Sequence, residues 1–260
     1  MSLSPTYTNP PVTTISISYK FNIDNWKDVV FYFLDNCSED FSEKYAYSSN
    51  DSDDKVIDLQ DPVLKDNKSF TVAVFEREDI GLLFSRDGIS CVGRRSSNSF
   101  PTFEYVFSFA EDHLRQVREM FSLSCKRLSL FYVDNIKLNS SEFEDIKSYF
   151  NNEIIKYSEF GTPINDFNYS FSLNPFDKDV FVFHCSMHKH SEYSQIQLRW
   201  GYYINSDQNS SIKQEKEHER KLLNKAHDYL HQKFEELITP KSRELFNKPF
   251  KKQEESEDNE

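Results

Sequence analysis

Residues Thr13 to Phe21 alternate without a break: Ile15, Ile17, Tyr19 and Phe21 fall on one side, Thr14, Ser16, Ser18 and Lys20 on the other. A period of two predicts a half-buried strand, because successive side chains of an extended chain point to opposite faces. The period then changes. Trp26, Val29, Val30, Phe33 and Leu34 recur at helical spacing, which predicts an amphipathic helix capped by Asp24 or Asn25 and running to Leu34. Strands are expected at Phe70–Glu76, Gly81–Arg86, Ile89–Arg95 and Phe103–Ser108. Asp87-Gly88 reads as a hairpin turn, since both residues tolerate positive φ. A helix from about Ala110 to Phe121 follows, then a strand over Lys126–Leu138 with Leu128, Leu130 and Tyr132 on one face. Ser140 or Ser141 with Glu144 resembles a capping box that opens a helix to Phe150. Strands over Asp166–Leu173, Asp179–Met187 and Tyr193–Ile204 precede a long helix from about Lys213, with Leu223, Ala226, Leu230, Phe234, Leu237 and Ile238 on its apolar stripe. Pro240 ends that helix by removing a backbone donor, and a last turn with Leu245 and Phe246 returns to the core.

The element order is β-α-β-β-β-β-α and then β-α-β-β-β-α. Residues 12–122 and 126–246 share one plan without evident residue identity. The fold class expected is α+β, with two pseudo-repeated antiparallel sheets each crossed by a helix, a layout like that of TATA-binding-protein-like or helix-grip folds. The domain division is 1–122 with an acidic loop at 38–68, 123–250, and an acidic, disordered tail at 251–260.

Composition sharpens this picture at three points. Forty aromatic residues, 15% of 260, supply a sizeable core although only 37% of the chain is hydrophobic. Five glycines argue against glycine-rich phosphate loops and propellers. The net charge of −12 is regional: Asp35–Asp66 carries −7 and Lys251–Glu260 carries −3, so the remaining body is close to neutral. Such a body does not attract phosphate backbones at long range, which makes nucleic acid an unfavoured partner. Neither an amino-terminal apolar segment nor a window long enough for a membrane span is visible. Cys37, Cys91, Cys125 and Cys185 stand far apart, as expected of reduced thiols in a cytoplasmic protein.

Three stretches carry a family resemblance. They are Asn9-Pro10-Pro11 before the first strand, Arg127 to Ile136 with Tyr132-Val133-Asp134-Asn135-Ile136, and Phe234 to Phe246 with Ile238-Thr239-Pro240-Lys241-Ser242-Arg243-Glu244. Together the chain resembles a sporadically distributed family of uncharacterised prokaryotic proteins of similar length. Members open on a Pro-Pro strand and end on an Ile-Thr-x-Lys-x-Arg-Glu-like helix. Where they tend to have Tyr-Ile-Asn-Arg-Ile, this chain has Asn135 in place of the arginine. The resemblance implies no catalytic activity. It implies mobile genes of the phage-defence or toxin–antitoxin kind, and so a protein partner from a neighbouring gene.

Candidate chemistry is sparse. On a strand, Phe181, Phe183, Cys185 and Met187 form a core face, and His184, His188 and His190 line up on the other, with neighbours at alternate positions about 6–7 Å apart at ~3.3 Å per residue, as His188 and His190 are. Alternating imidazoles can share a metal, so these three are the candidate metal ligands, weighed against an ordinary semi-polar sheet face. Gly88 to Gly93 has phosphate-loop glycine spacing but lacks the Lys-Ser/Thr and the helix that the chemistry requires. Arg94 and Arg95 beside Phe100, Phe103 and Tyr105 form a basic and aromatic spot, which an ordinary strand end explains equally. Glu111, Asp112, His113 and Arg115 suit the start of a helix. No nucleophile elbow or HExxH occurs, which points to a non-enzyme with no cofactor.

Two readings follow. The first is a non-enzymatic binding protein, a sensor, adaptor or neutralising partner, with Arg199, Trp200, Tyr202 and Tyr203 as the candidate contact group. The alternative is a small-ligand or nucleotide-binding protein, with hydrolysis as a further activity, that uses a cavity under the carboxy-terminal helix lined by the histidine strand.

Overall fold

The computed structural model of the chain describes residues 7–21, 25–46, 71–96, 99–139, 148–151, 166–175, 179–189, 193–205 and 212–247. The expected loop segment 47–68, most of the helix expected before Phe150 and the acidic tail lie outside the described residues.

The strands are β1 (Val12–Phe21), β2 (Glu43–Ala46), β3 (Thr71–Arg77), β4 (Ile80–Ser85), β5 (Gly88–Arg94), β6 (Cys125–Asn139), β7 (Asp166–Leu173), β8 (Val180–Lys189) and β9 (Tyr193–Asn205). The helices are α1 (Trp26–Asn36), α2 (Phe103–Met120), α3 (Ile212–Leu237) and α4 (Pro240–Phe246). The nine strands of the described residues belong to one antiparallel sheet in the order β2-β3-β4-β5-β1-β6-β9-β8-β7. The expectation of two sheets is therefore corrected. The reason is the β1·β6 ladder, in which Ile15 faces Tyr132, Ile17 faces Leu130 and Tyr19 faces Leu128. Both strands are long and apolar on the same face, so pairing them joins both hydrophobic faces into a single buried layer.

That layer is the core. Ile15, Ile17, Tyr19 and Phe21 are buried as the alternation requires, and so are Phe181, Phe183, Cys185 and Met187 on β8. On β9 the buried set is Ile196, Leu198, Trp200, Tyr202 and Ile204. Helix α2 lies over β1 and β5, α3 lies over β6 and β9, and α1 packs against α2. The opposite face carries Ser16, Ser18, Ser90 and Ser129 at paired positions, with Phe131 and Tyr203 edge to face at 5.1 Å. Phe131 covers Gly201, where an added Cβ would stand 2.6 Å from the ring.

Two local expectations are corrected. Phe103–Ser108 is the start of α2 and not a strand. Thr102 caps that start, its hydroxyl accepting from the Tyr105 N–H at 3.3 Å, and Phe103, Val106, Phe107, Ala110, Leu114 and Val117 form the buried stripe. Glu111, Asp112, His113 and Arg115 consequently sit inside α2. The second concerns Gly88, which opens β5 opposite Lys20 instead of forming the turn. A Cβ there would stand 2.4 Å from the Tyr19 carbonyl oxygen, so glycine is required for close strand approach and not for a positive φ. The one positive φ among described non-glycine residues, 49°, belongs to Ser122 just past α2. It lets the Leu123 N–H reach the Arg118 carbonyl at 3.0 Å and close the helix end. Thr239 and Pro240 break α3 from α4 as expected.

Candidate functional site

Where α2 begins, the chain leaves a cavity of about 340 Å³ between sheet and helix α3. Its floor is the apolar face of the three central strands: Ile15 on β1, Tyr132 and Asp134 on β6, Trp200 on β9. Its roof is one stripe of α3, with His227, Leu230, His231 and Phe234. Phe103 and the amino-terminal Tyr7-to-Pro11 segment close the sides.

That segment is tied down at both ends. The Asn9 N–H donates to the Phe246 carbonyl at 2.8 Å, and the Asn135 N–H donates to the Pro11 carbonyl at 2.9 Å. Arg95 donates to the Pro10 carbonyl at 2.7 Å and to the Asn9 side chain. Tyr7 donates to Glu235 at 2.5 Å and packs edge-on against Phe234 and Phe246. The basic spot expected at Arg94 and Arg95 is thus engaged internally: Arg94 pairs with Glu76 at 2.8 Å and Arg95 anchors the amino terminus.

The polar groups of the cavity are few and placed on apolar ground. Asp134 occupies a core-facing position of β6, between Tyr132 and Ile136, and is 6% exposed. Its Oδ2 accepts the Trp200 Nε1–H at 2.8 Å, and its other oxygen has no hydrogen-bond partner among the described residues. Burial raises its carboxyl from the ordinary 3.8 to about 7, with the Trp200 hydrogen bond opposing. Beside it the Tyr132 phenol and His227 Nδ1 stand 2.7 Å apart. Burial, with Asp134 and two further carboxylates adding, holds the Tyr132 phenol well above its ordinary value, so the phenol stays protonated. Burial and then His231 lower the His227 imidazole, which stacks on Phe103 at 4.6 Å. In the neutral imidazole one ring nitrogen donates and the other accepts, so the tautomer sets the direction of the bond to Tyr132. On the exposed rim Glu104 stands 3.8 Å from Arg220.

This site differs from the expected ones. Trp200 and Tyr202 are core residues, while Arg199 and Tyr203 lie on the opposite face of β9, so the four do not make one contact surface. The cause is the strict alternation of β9. His184 sits across from Arg199 on that same outer face and does not line the cavity, contrary to expectation. The His188 side chain and His190 lie outside the described residues, and among the described residues no group of three His, Cys, Asp or Glu could hold a metal. The sequence reading missed Asp134 and His227. The signals were present: Asp134 interrupts the apolar run Leu128, Leu130, Tyr132, Ile136, Leu138, and His227 adjoins the stripe Leu223, Ala226, Leu230.

In comparisons with known proteins, no family model matches the chain and no curated protein matches it in sequence.

Proposed function

We propose that this protein binds a small, largely apolar molecule in the cavity under α3. The observation that carries the reading is the buried Asp134, which lines a largely aromatic and aliphatic cavity and keeps one oxygen without a hydrogen-bond partner among the described residues. Ligand sites have this composition, apolar walls with a small number of convergent polar groups, and a volume of ~300–1,000 Å³. An isolated buried carboxyl costs stability unless something repays it, and a ligand would. Nucleotides suit the site poorly, because among the described residues no Lys or Arg lines the cavity to meet a phosphate.

Two features support readings of broader scope. Strand β5 returns to β1 and β9 returns to β6, each after a hairpin meander, and this supports an internal duplication joined at β1·β6. The sheet face opposite the helices carries Arg127 over Tyr203 at 5.4 Å, with Arg199 and Phe131 nearby in register. That composition favours a protein partner as the second reading.

Purification from the source cell, with mass spectrometry of both extracted small molecules and co-eluting proteins, tests the two. A stoichiometric small molecule that is lost when Leu230→Trp fills the cavity is the expected result. A stoichiometric protein partner and no small molecule would overturn the ligand reading in favour of the adaptor.

A further inference from the structure

We infer that the molecule taken by this cavity is a small organic cation, an amine whose charged nitrogen meets Asp134 and whose apolar body lies among Phe103, Trp200 and Phe234. This rests on the cavity being a ligand site. The charge of the lining sets the sign of the ligand. Among the described residues neither Lys nor Arg lines the cavity, whereas Asp134 is at its floor; Glu104, at its rim, already stands 3.8 Å from Arg220. An anion would meet an uncompensated carboxyl in a low-dielectric site. A cation would supply the partner that the second Asp134 oxygen lacks among the described residues.

The neighbours agree with that assignment. Burial and then His231 hold the His227 imidazole below its ordinary value, so near pH 8 it is neutral and does not repel a cation. Trp200, held by its own hydrogen bond to Asp134, and Phe103, stacked on His227, supply apolar wall for the body of such a ligand. Size sets a further limit. A dry cavity of ~150 Å³ accepts benzene, so about 340 Å³ accommodates a one- or two-ring body with a short amine arm.

The test is titration calorimetry of the full chain near pH 8 with three probes that share one ring and one arm: tryptamine, tryptophol and indole-3-acetate. The phenyl series (phenethylamine, 2-phenylethanol, phenylacetate) guards against a mismatch of size. The expected ranking in at least one series is the amine tightest, the alcohol weaker by about tenfold or more, and the acid without measurable binding. Asp134→Asn is expected to remove the amine's advantage while the alcohol keeps its affinity within about threefold. An alcohol or acid that binds as tightly as its amine would overturn the cation assignment and leave the cavity a ligand site. An amine preference that survives Asp134→Asn would overturn the role of Asp134. Silence from all six probes would remove both this inference and the cavity reading. The wild-type ranking decides the sign of the charge even where the variant does not fold.

Discussion

Replacing Asp134 by Asn isolates the energetic cost of placing a carboxyl on the core face of β6. The amide is nearly isosteric, and its oxygen can still accept the Trp200 N–H now held at 2.8 Å. What disappears is the charge. In the native chain the carboxyl titrates near 7 rather than at 3.8, so between those values the folded state holds a proton that the unfolded state has released. Fewer protons on the unfolded chain means that stability falls as pH rises across this window, and levels off above it. At ~1.4 kcal/mol per pH unit the full excursion is about 4 kcal/mol, a large share of the ~5–15 kcal/mol that holds a typical domain together. His227 is shifted downward as well, but by burial and His231, opposed by Asp228 and Glu104, none of which the substitution touches. Tyr132 and Tyr7 titrate above the window. Subtracting the two proteins therefore leaves the Asp134 term. Urea unfolding of both, followed by circular dichroism from about pH 4 to about pH 8.5, should give equal stability at the acid end. The Asn protein should gain steadily, reaching an advantage of roughly 4 kcal/mol above neutrality. A difference that does not change with pH, or a native chain that is the more stable near pH 8, would refute the reasoning.

Other substitutions probe the frame around the site. Arg118 and Glu219 form a two-pronged pair at 2.7 and 2.8 Å, both side chains nearly fully buried, with the guanidinium 5.4 Å from the Phe21 ring centre. Arg118→Met leaves Glu219 buried alone and should cost about 3–5 kcal/mol in urea unfolding, whereas Arg118→Met with Glu219→Leu should recover most of it. Ser122→Gly, at φ 49°, should raise stability by about 1 kcal/mol, and a loss of stability there would show that the serine side chain matters. Gly88→Ala drives a methyl group against the Tyr19 backbone and should cost about 2 kcal/mol or more, read as a lowered thermal midpoint.

The sequence conveyed the faces of elements better than their neighbours. Strands β1 and β8 were legible because each keeps a strict alternation with its apolar set on one side. The start of α2 misled because Phe103, Tyr105, Phe107 and Phe109 also alternate, so one aromatic run satisfies period two and helical period alike. The deciding residue is Thr102, whose hydroxyl caps the helix. Strand order was not legible at all: the ladder between β1 and β6 joins residues more than 100 positions apart, and no local pattern records it. The cavity depends on that same ladder, since Asp134 and Trp200 come from strands that pair only in the finished sheet, with His227 brought over them by α3. Asp134 itself was visible as a polar interruption, but its environment was not.

The position of β1 in the middle of the sheet bears on how the chain survives its own synthesis. Strand β1 is synthesised before both its partners, β5 and β6, and the second of them ends only at Asn139. At ~5–20 residues per second, roughly 10 s pass in which Ile15, Ile17, Tyr19 and Phe21 have no complete sheet to enter. During that interval an alternating, uncharged-faced strand is open to pairing with another nascent chain. Lys20 is the sole charge within it, a single gatekeeper on the strand's polar side. Growth conditions that slow elongation should therefore lower the soluble yield of this protein more than that of one whose first strand pairs with its immediate neighbour.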